Sequence, residues 1–146
     1  MALRILIVDD NELMRSALRT VLPKTAGWEV CGEAVNGVEA IEKATELKPD
    51  VIILDLVMPE MDGLQAARAI SSMVPEAPIV LHTWHANAAI EQEARKSGVR
   101  KVVGKGVGID ELITALEEVS RENPHKHHPA NRRRRTGGQT RRSTGC

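Results

Sequence analysis

Five short apolar runs, separated by longer stretches of a different periodicity, constrain the fold of this chain most strongly. Runs such as VIIL and IVL are almost continuously apolar, as in strands that are buried on both faces of a sheet. Between the runs, apolar residues recur every three or four positions, as on one face of a helix. This alternation predicts a parallel sheet covered by helices on both faces. The predicted strands cover residues 3–8, 28–33, 51–55, 78–82 and 101–103.

The intervening segments each carry a helical stripe or helix-start signal. Residues 87–97 are polar, so the fourth helix has the weakest stripe. Asn36 with Glu39, and Asp62 with Gln65, have capping-box spacing, and a left-handed cap is expected at the glycine after residue 97. The stripes of the other four helices are marked in turn by Leu13, Ala17, Leu18 and Val21; Val38, Ile41, Ala44 and Leu47; Leu64, Ala67 and Ile70; and Ile109, Leu112, Ile113 and Leu116.

The last 24 residues break this pattern, because they show no apolar periodicity and contain two prolines and a glycine pair. Seven of the twenty basic residues and none of the twenty acidic residues lie there. The thirteen other basic residues leave residues 1–122 with a formal charge of −7, and the remainder carries +7. The sequence therefore predicts one domain over residues 1–122 and a disordered basic tail over residues 123–146.

Composition excludes several classes of protein. Two cysteines are too few for a disulfide framework or a zinc site, and no apolar run approaches the roughly eighteen residues of a membrane span. The start of the chain lacks the cleavage region of a signal peptide, so a cytoplasmic location is expected. The basic tail lacks aromatic residues, so specific nucleic-acid binding is not expected. The tail could equally fold back on the acidic domain or be a remnant of cloning or of a shifted reading frame.

The residues with chemical potential cluster where the predicted strands end. In an open parallel sheet, ligands bind at the carboxyl ends of the strands. Asp9 and Asp10 follow strand one, Asp55 ends strand three, Thr83 follows strand four, and strand five runs into Lys105. Three such carboxylates repel one another unless a cation compensates them, and oxygen ligands with room for water suit Mg²⁺, with Mn²⁺ as an alternative. A carboxylate beside Mg²⁺ and a lysine is a competent phosphoryl acceptor.

Four motifs, in order and at family spacing, make residues 3–120 resemble the receiver domain of bacterial two-component response regulators. The motifs are VDD at 8–10, LDLVMPEMDG at 54–63, HT at 82–83 and GK at 104–105. The stretch WEVCGEAVNGVEAIEKA is further similar to receivers that are usually linked to helix-turn-helix outputs. The resemblance implies an α/β fold, a flavodoxin-like (βα)5 doubly wound sandwich with parallel strand order 2-1-3-4-5.

The resemblance also implies a role for each residue of the acidic cluster. Asp55 would be the phosphorylation site, and Asp10 would bind Mg²⁺ directly. Asp9 would support the ion through water, and Asp55 and the backbone carbonyl of Val57 would supply further metal ligands. The phosphoryl donor would be the phosphohistidine of a sensor histidine kinase.

Three more residues take part in the expected switch. The hydroxyl of Thr83 would turn toward the phosphoryl oxygens, and Lys105 would pair with them. His85 lies two residues past the threonine, at a position where the family tunes the rate of dephosphorylation. His82 is interpreted as a buried core histidine whose hydrogen bonds are satisfied.

Three residues depart from the family pattern. Trp84 replaces a small residue, and it either gates access to Asp55 or covers aliphatic surface beside the fourth helix. Gly106 replaces a proline that follows a cis peptide, so a trans bond and a different loop are expected. Val102 replaces the switch aromatic, so the usual coupling between threonine and aromatic cannot operate.

The sequence thus predicts a phosphorelay signal receiver that phosphorylates itself, rather than a turnover enzyme. Its expected partners are a sensor histidine kinase, an unknown downstream protein, and a second copy bound through the fourth helix, fifth strand and fifth helix. Two alternatives remain, a non-phosphorylated interaction scaffold and the receiver fragment of a DNA-binding transcriptional regulator. An aspartate-based hydrolase is a poor alternative, because Val57 stands where such enzymes carry a second acid.

Overall fold

In the computed structural model, residues 3–122 are described, and they form one five-stranded parallel sheet with order β2-β1-β3-β4-β5. The predicted fold and strand order are confirmed, whereas the predicted tail over residues 123–146 lies outside the described residues. In chain order the elements are β1 (Arg4–Val8), α1 (Glu12–Ala26), β2 (Glu29–Ala34), α2 (Gly37–Leu47), β3 (Val51–Leu54), α3 (Gly63–Met73), β4 (Ile79–Thr83), α4 (Ala88–Lys96), β5 (Lys101–Gly104), a 3-10 turn (Lys105–Val107) and α5 (Ile109–Arg121).

The sheet divides the apolar core into two layers, because successive side chains of a strand point to opposite faces. Leu6 and Val8 of β1 belong to the layer that contains residues of α2 and α3. Ile5 and Ile7 belong to the layer that contains residues of α1 and α5. The central strands β1, β3 and β4 are buried almost throughout, as their continuous apolar sequences predict. None of the helices within residues 3–122 has the apolar length needed to cross a bilayer.

The helix starts follow the predicted caps with one difference. Asp62 and Gln65 form a complete capping box at the start of α3. Asn36 accepts the Glu39 backbone N–H, but the Glu39 carboxylate accepts the N–H of the residue before Asn36, so that box is only half formed. Gly98 has φ +96 after α4, which confirms the expected left-handed residue.

The apolar stripe predicted for α1 is partly wrong. Leu18 is buried, but Leu13 is 80% exposed and Ala17 is exposed as well. The buried face of α1 instead contains Leu18 and Leu22, with Met14 packed against the same layer. The helix is thus rotated relative to the predicted stripe, and Leu13 is left on the protein surface.

Gly63 brings the start of α3 against the loop that follows β3. Its N–H donates to the Leu56 carbonyl oxygen at 2.7 Å. A Cβ at this position would lie 2.2 Å from the carbonyl oxygen of Asp55 and 2.9 Å from the Cα of Leu56. Because both neighbours are backbone atoms, no side-chain rotation can relieve the overlap. The absence of a side chain here fixes how closely α3 approaches Asp55.

We therefore expect Gly63→Ala to lower the free energy of unfolding by about 1–3 kcal/mol, the usual cost of overpacking. Urea denaturation followed by circular dichroism measures the change. Gly106→Ala is the matched control, because its Cβ would have its nearest neighbour at an ordinary 3.7 Å. Equal effects of the two substitutions would contradict the interpretation.

Candidate functional site

The carboxyl edge of the sheet carries a cavity of about 270 Å³. Backbone pairing places two acidic residues there, since Asp9 N–H donates to the Ala34 carbonyl at 3.0 Å and Asp55 N–H to the Val8 carbonyl at 2.9 Å. Asp9 and Asp55 therefore follow neighbouring strands directly. The cavity is lined by Asp9, Asp10, Asn11, Asp55, Val57, Thr83, Trp84, His85 and Lys105, which brings the predicted site residues together.

The three predicted carboxylates form one cluster. One oxygen from each of Asp9, Asp10 and Asp55 lies within 4.8 Å of the other two. Asp9 and Asp55 are buried, whereas Asp10 is exposed. Such a set of oxygen donors with one side open to water fits Mg²⁺, which retains several water ligands in protein sites.

Lys105 is the cation nearest to this cluster among the described residues. Its side chain is 4% exposed, and Nζ lies 2.8 Å from Asp9 Oδ2 and 3.3 Å from Asp55 Oδ1. Asp55 Oδ1 also accepts the Leu56 N–H at 2.9 Å. Both contacts fall on Oδ1, so Asp55 Oδ2 has no hydrogen-bond partner within residues 3–122.

One lysine does not balance three carboxylates, and the titration of Asp55 reflects this. Burial and, to a smaller extent, the neighbouring Asp9 carboxylate together raise the pKa of Asp55 to about 6, against the opposing effects of Lys105 and the Leu56 N–H. The folded site therefore carries uncompensated negative charge at neutral pH. A divalent cation among the three carboxylates would offset that charge.

Two residues of β4 lie beside the cluster. Thr83 is fully buried, and its Oγ1 accepts the His85 N–H at 3.0 Å. His82 is buried as predicted, but its Nδ1 has no hydrogen-bond partner in the described part of the chain, so the expectation of satisfied hydrogen bonds is wrong. Burial, reinforced by the positive charge of Lys105, lowers the pKa of His82 to about 4, so this imidazole is neutral near pH 7.

Trp84 lies at the mouth of the cavity and is 67% exposed. A Cβ on Gly106 would lie 3.7 Å from Cζ3 of the indole, so the ring stands beside the turn that follows β5. Trp84 also lines a second cavity of about 280 Å³, together with Leu13, Met14 and other residues of α1. The indole thus separates the acidic cavity from an apolar surface of α1.

The loop after Lys105 has the expected trans geometry, because residues 3–122 contain no cis peptide bond. Lys105–Val107 form a 3-10 turn. Val102 is partly buried and packs against the core layer beneath α4. The position predicted to lack a switch aromatic therefore holds an aliphatic core contact.

Sequence reasoning missed Arg15, which lies one turn into α1. Its Nη1 donates to the main-chain carbonyl of Asp9 at 2.7 Å, and its Nε donates to Glu33 Oε1 at 3.0 Å. The available signal was the spacing of Glu12 and Arg15, which places opposite charges three residues apart on one helix face. The structure shows this ion pair, but the contact to Asp9 depends on tertiary packing.

Comparison with known proteins gives a consistent result. Residues 5–117 match the family model of the response regulator receiver domain. The chemotaxis protein CheY of Thermotoga maritima is 41% identical over 121 residues, which cover 83% of this chain and 100% of that protein. The response regulator protein VraR of Staphylococcus aureus is 34% identical over 121 residues, covering 83% of this chain and 58% of that protein.

A solved structure shows the same fold. The two-component response regulator of the LuxR family from Aurantimonas superposes with a TM-score of 0.80 at 30% identity. The superposition covers 84% of this chain and 87% of that chain.

The raised pKa of Asp55 predicts how stability depends on pH in metal-free buffer. Between the ordinary value of 3.8 and about 6, the native state retains a proton that the unfolded chain has released, so stability falls as pH rises through this window. Asp55→Asn removes this effect. We expect the variant to gain stability relative to wild type as pH rises from 4.5, by about 1–3 kcal/mol above pH 7.

Chemical denaturation in EDTA from pH 4.5 to pH 8 measures the difference. Added Mg²⁺ should reduce it at pH 7.5, because the ion offsets the charge of Asp55 in wild type. A stability difference that does not vary with pH would contradict the burial of an ionised Asp55 as its cause.

Proposed function

This chain belongs to the response-regulator receiver family of bacterial two-component systems, and from that premise we propose that it is a phosphorelay receiver with Asp55 as phospho-acceptor. In the proposed step, a carboxylate oxygen of Asp55 attacks the phosphorus of a kinase phosphohistidine. The phosphorus–nitrogen bond breaks, and the histidine leaves as the phosphoryl group passes to aspartate. The CheY-like relatives are signalling proteins, and we propose that this chain likewise is a self-phosphorylating switch rather than a turnover enzyme.

The observation that carries the proposal is the unequal use of the two Asp55 oxygens. Oδ1 is held by Lys105 and by the Leu56 N–H, whereas Oδ2 has no such partner among residues 3–122. An oxygen that is oriented but not engaged is suited to attack an incoming phosphorus. Lys105 is placed to pair with the transferred group, since its Nζ already lies 3.3 Å from the acceptor carboxylate.

Mg²⁺ would be held by Asp10 directly, by Asp9 through water, and by Asp55 and the backbone carbonyl of Val57. The bound ion would supply positive charge that offsets the charge of the transferring phosphoryl group. The fit rests on the three clustered carboxylates and the open side at Asp10. Mn²⁺ satisfies the same oxygen donors.

Thr83 would carry the conformational switch. Its hydroxyl oxygen now accepts the His85 N–H, and a turn toward the phosphoryl oxygens would exchange this contact for a hydrogen bond that the hydroxyl donates. Because Val102 replaces the aromatic switch residue, the change would be transmitted through the loop between β4 and α4. His85 lines the same cavity and would influence the rate at which water removes the phosphoryl group.

Exposed apolar residues around the acidic cavity support the proposal that the phosphoryl donor is a protein. Leu13, Val57, Trp84 and Val107 are all large, apolar and mostly exposed, and they come from four different segments at the carboxyl edge of the sheet. Grouped apolar exposure is typical of protein contact surfaces. We propose that a sensor histidine kinase binds at this edge in the cytoplasm, and that the α4–β5–α5 face serves an unknown downstream protein or a second copy of the chain.

The decisive experiment is labelling of Asp55. Wild type incubated with acetyl phosphate and Mg²⁺ should gain a single phosphoryl group by intact mass spectrometry, and Asp55→Asn should gain none, because no other carboxylate has the same surroundings. Asp110, an acidic residue in the first turn of α5, does not line the cavity, so Asp110→Asn is the matched control and should label like wild type. EDTA should prevent the labelling of wild type and of Asp110→Asn.

Equal labelling of wild type and Asp55→Asn would show that Asp55 is not the acceptor. A wild type that binds Mg²⁺ but gains no phosphoryl group from acetyl phosphate or from sensor kinases would favour the second candidate function, a non-phosphorylated interaction scaffold. Val102 and the bulky, exposed Trp84 are the observations that favour this candidate.

Trp84 is proposed to act as a partial gate, because its indole lies at the mouth of the Asp55 cavity. Trp84→Ala should increase several-fold both the rate of phosphorylation by acetyl phosphate and the rate of phosphoryl loss, with Mg²⁺ affinity little changed. Val107→Ala is the control, since Val107 is similarly exposed but does not line this cavity. If Trp84→Ala leaves both rates unchanged, the indole has a packing role only.

A further inference from the structure

We propose that Arg15 is a positioning residue for the metal-binding side of the site, because it fixes the peptide group that joins Asp9 to Asp10. The inference rests on the proposed function in one respect, namely that Mg²⁺ binds at the three carboxylates. Arg15 touches neither Asp55 nor the cavity that contains it, so its role would be indirect.

The side chain of Arg15 is 11% exposed and is held at each nitrogen. Nη1 donates to the Asp9 main-chain oxygen at 2.7 Å, Nε donates to Glu33 Oε1 at 3.0 Å, and Nη2 pairs with Glu12. Glu33 is in turn fixed by Arg19, whose Nη1 lies 2.6 Å from Glu33 Oε2. The guanidinium therefore ties the loop after β1 to α1 and to β2.

This contact matters because Asp10 has no other restraint on its side chain. Asp10 is exposed and makes no hydrogen bond or ion pair with any residue from 3 to 122. The backbone sets the direction of its Cα–Cβ bond, and therefore the region that the carboxylate can reach. The Asp9 carbonyl and the Asp10 nitrogen belong to one planar peptide group. The hydrogen bond from Arg15 to this carbonyl therefore fixes the orientation of the peptide group that leads into Asp10.

The other polar groups of Asp9 are held by different residues. Its N–H donates to the Ala34 carbonyl, Oδ1 accepts the Asn11 N–H at 2.9 Å, and Oδ2 accepts from Lys105 at 2.8 Å. Loss of Arg15 would leave these three contacts in place. Only the carbonyl, and with it the Asp9–Asp10 peptide, would gain freedom, so we expect an effect on the metal ligand and not a general collapse of the loop.

Simple electrostatics predicts that loss of Arg15 strengthens Mg²⁺ binding, whereas the proposal predicts that it weakens binding. This difference makes the proposal testable. A guanidinium near the carboxylate cluster repels a divalent cation, so its removal alone should strengthen Mg²⁺ binding. A merely structural role would lower stability but leave the affinity of the folded protein unchanged. Weaker Mg²⁺ binding by folded protein is expected only if Arg15 orients a ligand.

The experiment compares Arg15→Gln with Arg19→Gln in the full chain. Arg19 lies one turn further along α1 and pairs with the same two carboxylates, Glu12 and Glu33, but does not contact Asp9. MgCl₂ titrations at pH 7.5, followed by calorimetry and by tryptophan fluorescence, should show that Kd rises about tenfold for Arg15→Gln. The Kd of Arg19→Gln should equal that of wild type or fall below it.

Arg15→Lys separates charge from geometry. Lysine keeps the positive charge, but its single nitrogen cannot donate to the Asp9 carbonyl and to Glu33 in the way that the guanidinium fork does. Mg²⁺ binding should therefore stay weaker than in wild type. At saturating Mg²⁺, both Arg15 variants should still be labelled by acetyl phosphate, since Asp55 and Lys105 are intact.

The possible outcomes distinguish this inference from the proposed function. If wild type binds Mg²⁺ and is labelled, but folded Arg15→Gln binds Mg²⁺ as tightly or more tightly, the inference alone is overturned. If wild type binds no Mg²⁺, the metal-dependent function fails and the inference fails with it. If Arg15→Gln does not fold, Arg15→Lys decides, and wild-type affinity in that variant overturns the inference.

Discussion

The Lys105 ammonium group, buried between Asp9 and Asp55, is the interaction on which the site depends. Parallel pairing of β1 with β3 forces these two aspartates to be neighbours at the carboxyl edge of the sheet. Buried carboxylates are costly unless they are paired, and the lysine contacts both of them. The compensation is incomplete, as the pKa of Asp55 at about 6 shows. In the proposed function, this residual negative charge would attract a divalent cation, and the bound ion would in turn offset the charge of a phosphoryl group.

The helices and strands could be predicted because their residue patterns repeat along the chain. The location of the site could be predicted because parallel strands end at the same edge of the sheet. The strands β3 and β4 could be read from continuous apolar runs, and Asp62 with Gln65 from local capping chemistry. The positions of Asp9, Asp55 and Lys105 follow from the topology, since each is the residue directly after a parallel strand and these strands all end at one edge of the sheet. None of these inferences needs a long side chain to be placed in three dimensions.

The prediction fails where a side chain can take either of two environments and the sequence does not distinguish between them. Leu13 fits an apolar stripe on α1, but Leu18 and Leu22 define the buried face, and periodicity alone does not say which of two overlapping stripes turns inward. Glu39 could reach either of two adjacent N–H groups at the start of α2. Arg15 reaches the Asp9 carbonyl only because α1 packs beside β2.

Helix α1 combines two features that sequence patterns treat as separate. Its inner side holds the Asp9–Asp10 peptide through Arg15, and its outer side exposes Leu13 next to Trp84 at the mouth of the acidic cavity. Leu13 and Arg15 lie within one turn of α1, and Arg15 donates to the Asp9 carbonyl. A kinase that docks on the apolar surface would therefore contact the same element that orients the metal ligand. In the proposed function, partner binding and metal coordination would therefore both depend on where the first turn of α1 lies.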